Sequence, residues 1–149
     1  MATWSGIRKK LEQDYLAESL KGHIQYFATT YRESHDQEGR AAILFDGEEI
    51  LRGAFLFKDF FSERNPHNMD EIALTTGGFD QTDFYCAFDE FDNQSIEKSL
   101  ESENLIVKII ALLDRRVGKR RLLKMKENIS KEPEVIQRFY SIRTEAEGI

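Results

Sequence analysis

Short runs of β-branched and aromatic residues dominate the early part of the chain, separated by polar stretches. Asp46-Gly47 is the strongest short hairpin signal in the sequence and joins two of these runs. Before them, apolar positions at helical spacing predict a first helix over 6–19, with Ser5 as its N-cap. The runs themselves predict three strands that form an antiparallel meander, over residues 24–29, 41–45 and 48–51.

The periodicity changes later in the chain. Phe84, Ala87, Phe88 and Phe91 follow the i, i+3, i+4, i+7 spacing of an amphipathic helix. A last helix is expected after Pro133, which suits a first helical turn. The remaining helices, with their N-caps, are predicted at 69–75 (Asn68), 83–92 (Thr82), 95–100 (Ser95), 102–113 (Ser102) and 114–127 (Asp114).

Strands come first and helices afterwards, which is the α+β pattern. We predict an N-terminal helix, a three-stranded antiparallel meander and a C-terminal group of short helices packed on it. The length favours a single domain over 1–149, with a helix-and-sheet part at 1–62 and a helical part at 63–149. The aromatic run 55–61 is expected either to extend the third strand or to pack back over the sheet.

Composition and charge restrict the cellular compartment and the kinds of partner that we expect for this protein. One cysteine excludes an internal disulfide, and no apolar window or leader pattern indicates a membrane segment or export, so we expect a cytoplasmic protein without a membrane partner. The net charge of −6 argues against a general duplex-coating protein. The charge is divided, however. Residues 80–103 carry eight acids and one lysine, whereas 114–126 carry seven basic residues and one acid.

The polar stretch between the first two predicted strands concentrates chemically active side chains. If Asp36 oriented the imidazole of His35, that histidine could act as a general base, and Arg32 or Arg40 could hold an anion. Alternatively, these side chains only bond the loop backbone and pair across the hairpin base. His23 stands isolated in the sequence. Because no metal-ligand spacing occurs, we expect neither a metal nor another cofactor.

A second concentration of charge lies in the late basic motif, residues 113–122. Cations near a helix start are disfavoured by the helix dipole, so something must compensate them. One interpretation is internal: the arginines form ion pairs with the acidic segment 80–103. The other is external: they hold phosphates or an acidic partner. The candidate binding residues here are Arg115, Arg116, Lys119, Arg120 and Arg121.

These two motifs, together with Trp4-Ser5 and the Asp46-Gly47 turn, resemble a small uncharacterised family of bacterial cytoplasmic proteins. The resemblance spans most of the chain, although 57–77 departs from the family pattern. It implies a bacterial setting. It brings no activity and no catalytic residue.

Three functional hypotheses follow. The first is a non-enzymatic bacterial accessory or regulatory protein that binds an unidentified protein or another acidic or phosphate-bearing ligand. The second is an RNA or single-stranded nucleic-acid binder that uses the late basic motif. The third is a hydrolase or phosphate-processing enzyme centred on His35 and Asp36. The oligomeric state is left open by the sequence.

Overall fold

The computed structural model describes residues 3–29, 40–53 and 69–149. Within them the chain forms one antiparallel sheet, in which β1 pairs with β2 and β2 with β3. The strand bounds are Ile24–Thr29 (β1), Arg40–Phe45 (β2) and Glu48–Gly53 (β3). The predicted meander is therefore confirmed. The aromatic run 55–61 lies outside the described residues.

The turn between β2 and β3 has the predicted position. Asp46 and Gly47 have φ angles of 50° and 83°, as a two-residue hairpin turn of the type I′ class requires at both central positions. Gly47 adopts this conformation without steric cost, and Asp46 is among the residues that tolerate it best. The local sequence thus fixes the hairpin register.

A β-bulge interrupts β3. Ile43 pairs with Leu51, but the next residue, Leu44, pairs with Glu49. Ile50 is therefore an extra residue on β3, which disrupts the ladder and increases the local twist of the strand.

A side chain from the N-terminal segment covers the outer edge of β1. The backbone N–H of Tyr26 donates to Glu12 Oε2 at 2.8 Å, and Arg8 Nε donates to the same oxygen at 2.9 Å. A carboxylate held in this way satisfies a backbone donor that a neighbouring strand would otherwise bond.

Helices make up most of the remaining described residues. They are α1 Trp4–Lys9, α2 Glu71–Thr76, α3 Gln81–Asp92, α4 Ile96–Leu100, α5 Leu105–Leu112, α6 Lys119–Met125 and α7 Glu134–Glu147. An N-terminal helix, a three-stranded sheet and a later helical group confirm the predicted α+β class.

The first helix is shorter than predicted. Its N-cap is Thr3 rather than Ser5, and Gly6 N donates to Thr3 Oγ1 at 3.2 Å. α1 ends at Lys9 and continues as a π-helical turn, Lys10–Asp14. The helix stops because the backbone beyond this turn pairs with the late basic motif instead of with its own preceding turn.

Several N-caps also differ from the prediction. α3 begins two residues early because Asp80 accepts from Asp83 N at 3.0 Å while Asp83 accepts from Asp80 N at 2.8 Å, a reciprocal capping box. Ser95 caps α4 as predicted. The remaining corrections are Asp70 in place of Asn68 for α2 and Asn104 in place of Ser102 for α5.

α5 is the centre of the helical group. All of its residues except Lys108 are buried, as expected of a helix that is apolar on every side. It contacts α3, α4 and α7, and the edge-to-face contact of Tyr26 with Phe84, 5.9 Å between ring centres, joins the sheet to α3. Buried side chains from α1, the sheet and the later helices thus belong to one hydrophobic cluster.

Two glycines lie where the end of α2 meets β3, one required by its backbone conformation and the other by a close approach. Gly77 ends α2 with a φ of 74°, and a Cβ there would lie 3.4 Å from the carbonyl oxygen of Arg52. At Gly53 a Cβ would lie 2.5 Å from the carbonyl oxygen of Phe79, closer than real Cβ atoms approach. Both positions therefore depend on glycine.

We expect Gly53→Ala to destabilise the protein by about 2 kcal/mol, since the added methyl group forces backbone atoms apart. Chemical denaturation checks the value. Gly118→Ala is the matched control, because a Cβ at Gly118 meets nothing within 4 Å. Equal effects of the two substitutions would contradict the close approach at Gly53.

Candidate functional site

The late basic motif is anchored to the N-terminal segment by backbone hydrogen bonds. Ala17 N donates to the carbonyl oxygen of Leu113 at 2.9 Å, and Arg115 N donates to that of Tyr15 at 2.7 Å. These bonds form an antiparallel bridge between Leu16 and Asp114, and the chain turns on either side of it. The predicted helix from Asp114 is therefore wrong: α6 begins only at Lys119.

A buried arginine on α7 binds backbone carbonyl groups at the end of α5 and in the turn 113–118 that precedes α6. Arg143, on α7, is 2% exposed. Its guanidinium donates to the carbonyl oxygens of Leu112, Asp114 and Val117 at 2.7, 2.8 and 2.6 Å. Arg143 was not among the predicted residues. A signal for it exists, because it lies four residues after Phe139 and seven after Ile136, on the buried face of α7.

The remaining guanidinium nitrogen of Arg143 binds a carboxylate. Arg143 Nε donates to Glu147 Oε2 at 2.9 Å, and Ser19 Oγ donates to the same oxygen at 2.6 Å. Burial alone would raise the pKa of Glu147. The hydrogen bonds from Ser19 and Arg143 outweigh burial and hold this pKa below its ordinary value.

Arg116 is bound to a buried carboxylate, although 43% of its own side chain is exposed. Its Nε and Nη2 atoms lie 3.0 and 2.9 Å from the two carboxylate oxygens of Asp114, and its backbone N–H donates to the same carboxylate at 2.7 Å. The guanidinium also lies 5.3 Å from the ring centre of Tyr15 and 5.6 Å from that of Phe91. The hydrogen bond with Asp114 raises the pKa of Arg116 above its ordinary value.

Tyr15 extends this cluster to α3. Its hydroxyl donates to Asp92 Oδ1 at 2.7 Å, while Lys10 Nζ lies 3.5 Å from the other oxygen of that carboxylate. Burial, and then the hydrogen bond to Asp92, raise the pKa of Tyr15 to about 12. The phenol therefore remains protonated at neutral pH and acts as a hydrogen-bond donor.

The other cations of the motif divide into one ion pair and three unpaired side chains. Arg121 Nη1 lies 3.2 Å from Glu97 Oε2, which joins the motif to the acidic segment as the internal interpretation predicts. The internal interpretation fails for Arg116, whose partner is Asp114. The three other cations of the motif are exposed and form no side-chain hydrogen bond or ion pair with any described residue: Arg115, Lys119 and Arg120.

An exposed apolar side chain lies among these cations. Leu123 is 52% exposed, four residues after Lys119 and three after Arg120, so the three side chains are neighbours on the surface of α6. We call Arg115, Lys119, Arg120, Leu123 and the exposed Lys124 the basic face. Glu147 lies near enough to Lys119 for the lysine to contribute to its lowered pKa.

The predicted hairpin loop is described only at its end. Arg32, His35 and Asp36 lie outside the described residues. Arg40 forms an ion pair with Glu49 across the sheet and lies 5.5 Å from the ring centre of Phe27. Its partner therefore lies on β3, whereas the structural interpretation of the loop places the partner of Arg40 across the β1–β2 hairpin, among residues outside those described.

A histidine–aspartate pair occurs where the sequence analysis saw an isolated histidine. His23 Nδ1 lies 2.6 Å from Asp46 Oδ1, and both side chains are more than half exposed. The signal was present in the register: Ile24 pairs with Phe45, so the residues just outside that pair must also face each other. No nucleophile or third polar group is bonded to this pair in the described part of the chain.

The described residues contain neither a group of metal-binding side chains nor a membrane-spanning helix. No three histidine, cysteine or carboxylate side chains in residues 3–29, 40–53 and 69–149 are grouped to hold a metal ion. Over the same ranges, every helix is too short or too polar to cross a bilayer.

We expect Arg116→Ala to cost about 2 kcal/mol of stability, because the buried Asp114 carboxylate loses both hydrogen bonds from the guanidinium and keeps the one from the backbone N–H of residue 116. Arg120→Ala is the matched control. Its side chain is exposed and unpaired, so the change should stay within about 0.5 kcal/mol. Denaturant titration distinguishes the two, and similar values would show that Arg116 is not structural.

Glu147→Gln should flatten the acid limb of the stability profile. A carboxyl whose folded-state pKa is lowered contributes stability above its unfolded pKa of about 4.3, and this contribution is lost as pH falls through the folded value. We expect the wild type to lose more stability than Glu147→Gln below about pH 4.3. Glu145→Gln, an exposed change on the same helix, is the control. Parallel curves for all three proteins would contradict the role of Glu147.

No curated protein and no solved structure matches this chain. The model of one protein family does match, over residues 3–144. That range includes both polar motifs and almost the whole sequence, and the family carries no assigned function. Membership of a small uncharacterised family was the expectation from the two motifs and is confirmed: the chain belongs to the SF0329 protein family.

Proposed function

We propose that this protein is a non-enzymatic accessory or regulatory protein of the bacterial cytoplasm, and that its basic face binds an acidic segment of a partner protein. The bacterial and cytoplasmic setting comes from the resemblance of the two motifs. The observation that carries the proposal is the exposure of Arg115, Lys119 and Arg120 without any partner in the described part of the chain.

The division of the motif supports a binding role. Arg116 and Arg121 have carboxylate partners within the chain, so intramolecular pairing does not account for the other cations. Three like charges near the start of a short helix are unfavourable for that helix. An acidic partner would remove this repulsion on binding, and charge complementarity would accelerate the encounter.

Leu123 favours a protein partner over a nucleic acid. An exposed apolar side chain within a charged rim matches the usual anatomy of protein interfaces, in which an apolar centre is shielded from water. Single-stranded nucleic acid is instead bound through aromatic side chains that stack on bases. The basic face contains none. Nucleic-acid binding remains the second hypothesis, and the hydrolase hypothesis depends on His35 and Asp36, outside the described residues.

The test compares two labelled probes by fluorescence anisotropy: an acidic peptide containing leucines, and an oligouridylate RNA. We expect the peptide to bind more tightly. Lys119→Glu combined with Arg120→Glu should weaken peptide binding by roughly tenfold or more. Leu123→Ser should weaken peptide binding while leaving the weak RNA signal unchanged.

The control for net charge is a second double reversal, Lys9→Glu with Lys131→Glu. These exposed positions lie on α1 and on the 3₁₀ turn Ile129–Lys131 that precedes α7. This control changes the total charge equally but leaves the basic face intact. Equal losses in both double variants would contradict a specific surface. Tighter binding of RNA, with a steep dependence on salt, would replace the protein partner by a nucleic acid.

A further inference from the structure

A cleft separate from the basic face lies between the sheet and two helices. Its volume is about 1170 Å³. The described residues that line it come from the start of β2, from β3, from the end of α2 and from the first turn and a half of α7. Typical small-molecule pockets measure about 300 to 1,000 Å³, so this cleft has room for more than a single amino acid.

Apolar side chains contribute to the lining of the cleft. Ile50, Leu74 and Val135 reach it from β3, α2 and α7 respectively, and all three are buried or half-buried. The hydroxyls of Thr75 and Thr76 also line it, but they donate to carbonyl oxygens of their own helix. Apolar contact and charge are therefore the means of recognition that these residues offer.

The charged residues around the cleft are of both signs and only partly paired. Arg40 and Glu49 bind each other. Arg138 donates to the carbonyl oxygen of Ile50 at 3.4 Å, a long hydrogen bond without a carboxylate partner. In residues 3–29, 40–53 and 69–149, no carboxylate lies within ion-pair distance of Arg52 or Arg138. No cation lies within that distance of Glu48 or Glu134.

A ligand of this cleft must be compatible with both the two arginines and the two glutamates. A simple anion would gain from Arg52 and Arg138 but would be repelled by Glu48 and Glu134, and a simple cation would meet the reverse situation. Glu134 and Arg138 lie one turn apart on α7, and Glu48 and Arg52 lie on the same strand, so each wall carries both signs. A molecule with one carboxylate and one ammonium group, joined by an apolar body, offers a partner to both kinds of side chain. Guanidinium groups bind carboxylates through paired hydrogen bonds, and glutamates accept hydrogen bonds from ammonium groups.

We propose that this cleft binds a short peptide with free termini, its carboxylate held by Arg52 and Arg138 and its ammonium group by Glu48 and Glu134. The side chains of the peptide pack against Ile50, Leu74 and Val135. The site is independent of the basic face, so either assignment stands without the other.

The test uses the full chain and three forms of one tetrapeptide, Ala-Leu-Leu-Ala, titrated by calorimetry or by NMR chemical-shift changes. The forms are the free peptide, its N-acetylated derivative and its C-terminal amide. We expect the free peptide to bind and each blocked form to bind roughly tenfold more weakly, since each loses a charge-assisted contact.

Variants assign each terminus to its side chains. Arg138→Gln should weaken the free and N-acetylated peptides but not the C-terminal amide, which has no carboxylate to lose. Glu134→Gln should weaken the free peptide and the amide but not the N-acetylated form. Circular dichroism establishes that the variants are folded. Lys9→Gln, at an exposed position of α1 outside both the cleft and the basic face, is the control, with unchanged binding of all three forms.

Two outcomes would overturn the proposal. The first is no binding of the free peptide at millimolar concentration. The second is equal binding of the free and blocked forms, which would show that the cleft does not recognise the termini. Neither result affects the basic face, whose test uses different probes and different variants.

Discussion

The buried guanidinium of Arg143 connects parts of the chain that are distant in sequence. A buried cation costs several kcal/mol unless its hydrogen-bonding groups are satisfied, and here three carbonyl oxygens and the Glu147 carboxylate satisfy it. Those carbonyls belong to the end of α5 and to the turn before α6. The turn must expose them in one direction, so it cannot be helical. Its backbone is then free to pair with the segment Tyr15–Ala17.

The conformation of this turn determines which basic side chains of the late motif bind within the protein and which face solvent. Because Asp114 lies in the turn rather than at a helix start, its buried carboxylate accepts hydrogen bonds from Arg116 and draws that side chain between Tyr15 and Phe91. The cations on either side of Arg116 face solvent. A single run of basic residues therefore contains both a structural element and the proposed contact surface, and a reversal of the whole run would confuse the two.

Local patterns were sufficient to predict the sheet. Alternation, β-branched residues and Asp46-Gly47 determine strands and turn within a few residues of each other. The helical class of the later segments also followed from periodicity. Helix ends were less accurate, because several polar residues near each end were able to act as caps and the sequence does not rank them. Thr3, Asp80 and Asn104 prevailed over the predicted caps through hydrogen bonds that depend on the path of the preceding chain.

The candidate sites were only partly predictable for a related reason. Sequence can show that cations are concentrated, but the separation of Arg116 from Arg120 depends on tertiary contacts with Asp114 and the rings beside it. Arg143 had a local signal, a cation on an apolar helix face. The cleft had none, because its walls come from β2, β3, α2 and α7, which only the folded chain brings together.

The two outer strands of the sheet affect the tendency of the protein to aggregate in a concentrated solution. An exposed strand edge is a template for pairing with another chain and a common start of aggregation. Here Glu12 occupies a backbone donor on β1, and the bulge at Ile50 twists β3 away from a regular ladder. Both devices disfavour the addition of a further strand. In this protein the small sheet therefore has outer strands that resist pairing with another chain.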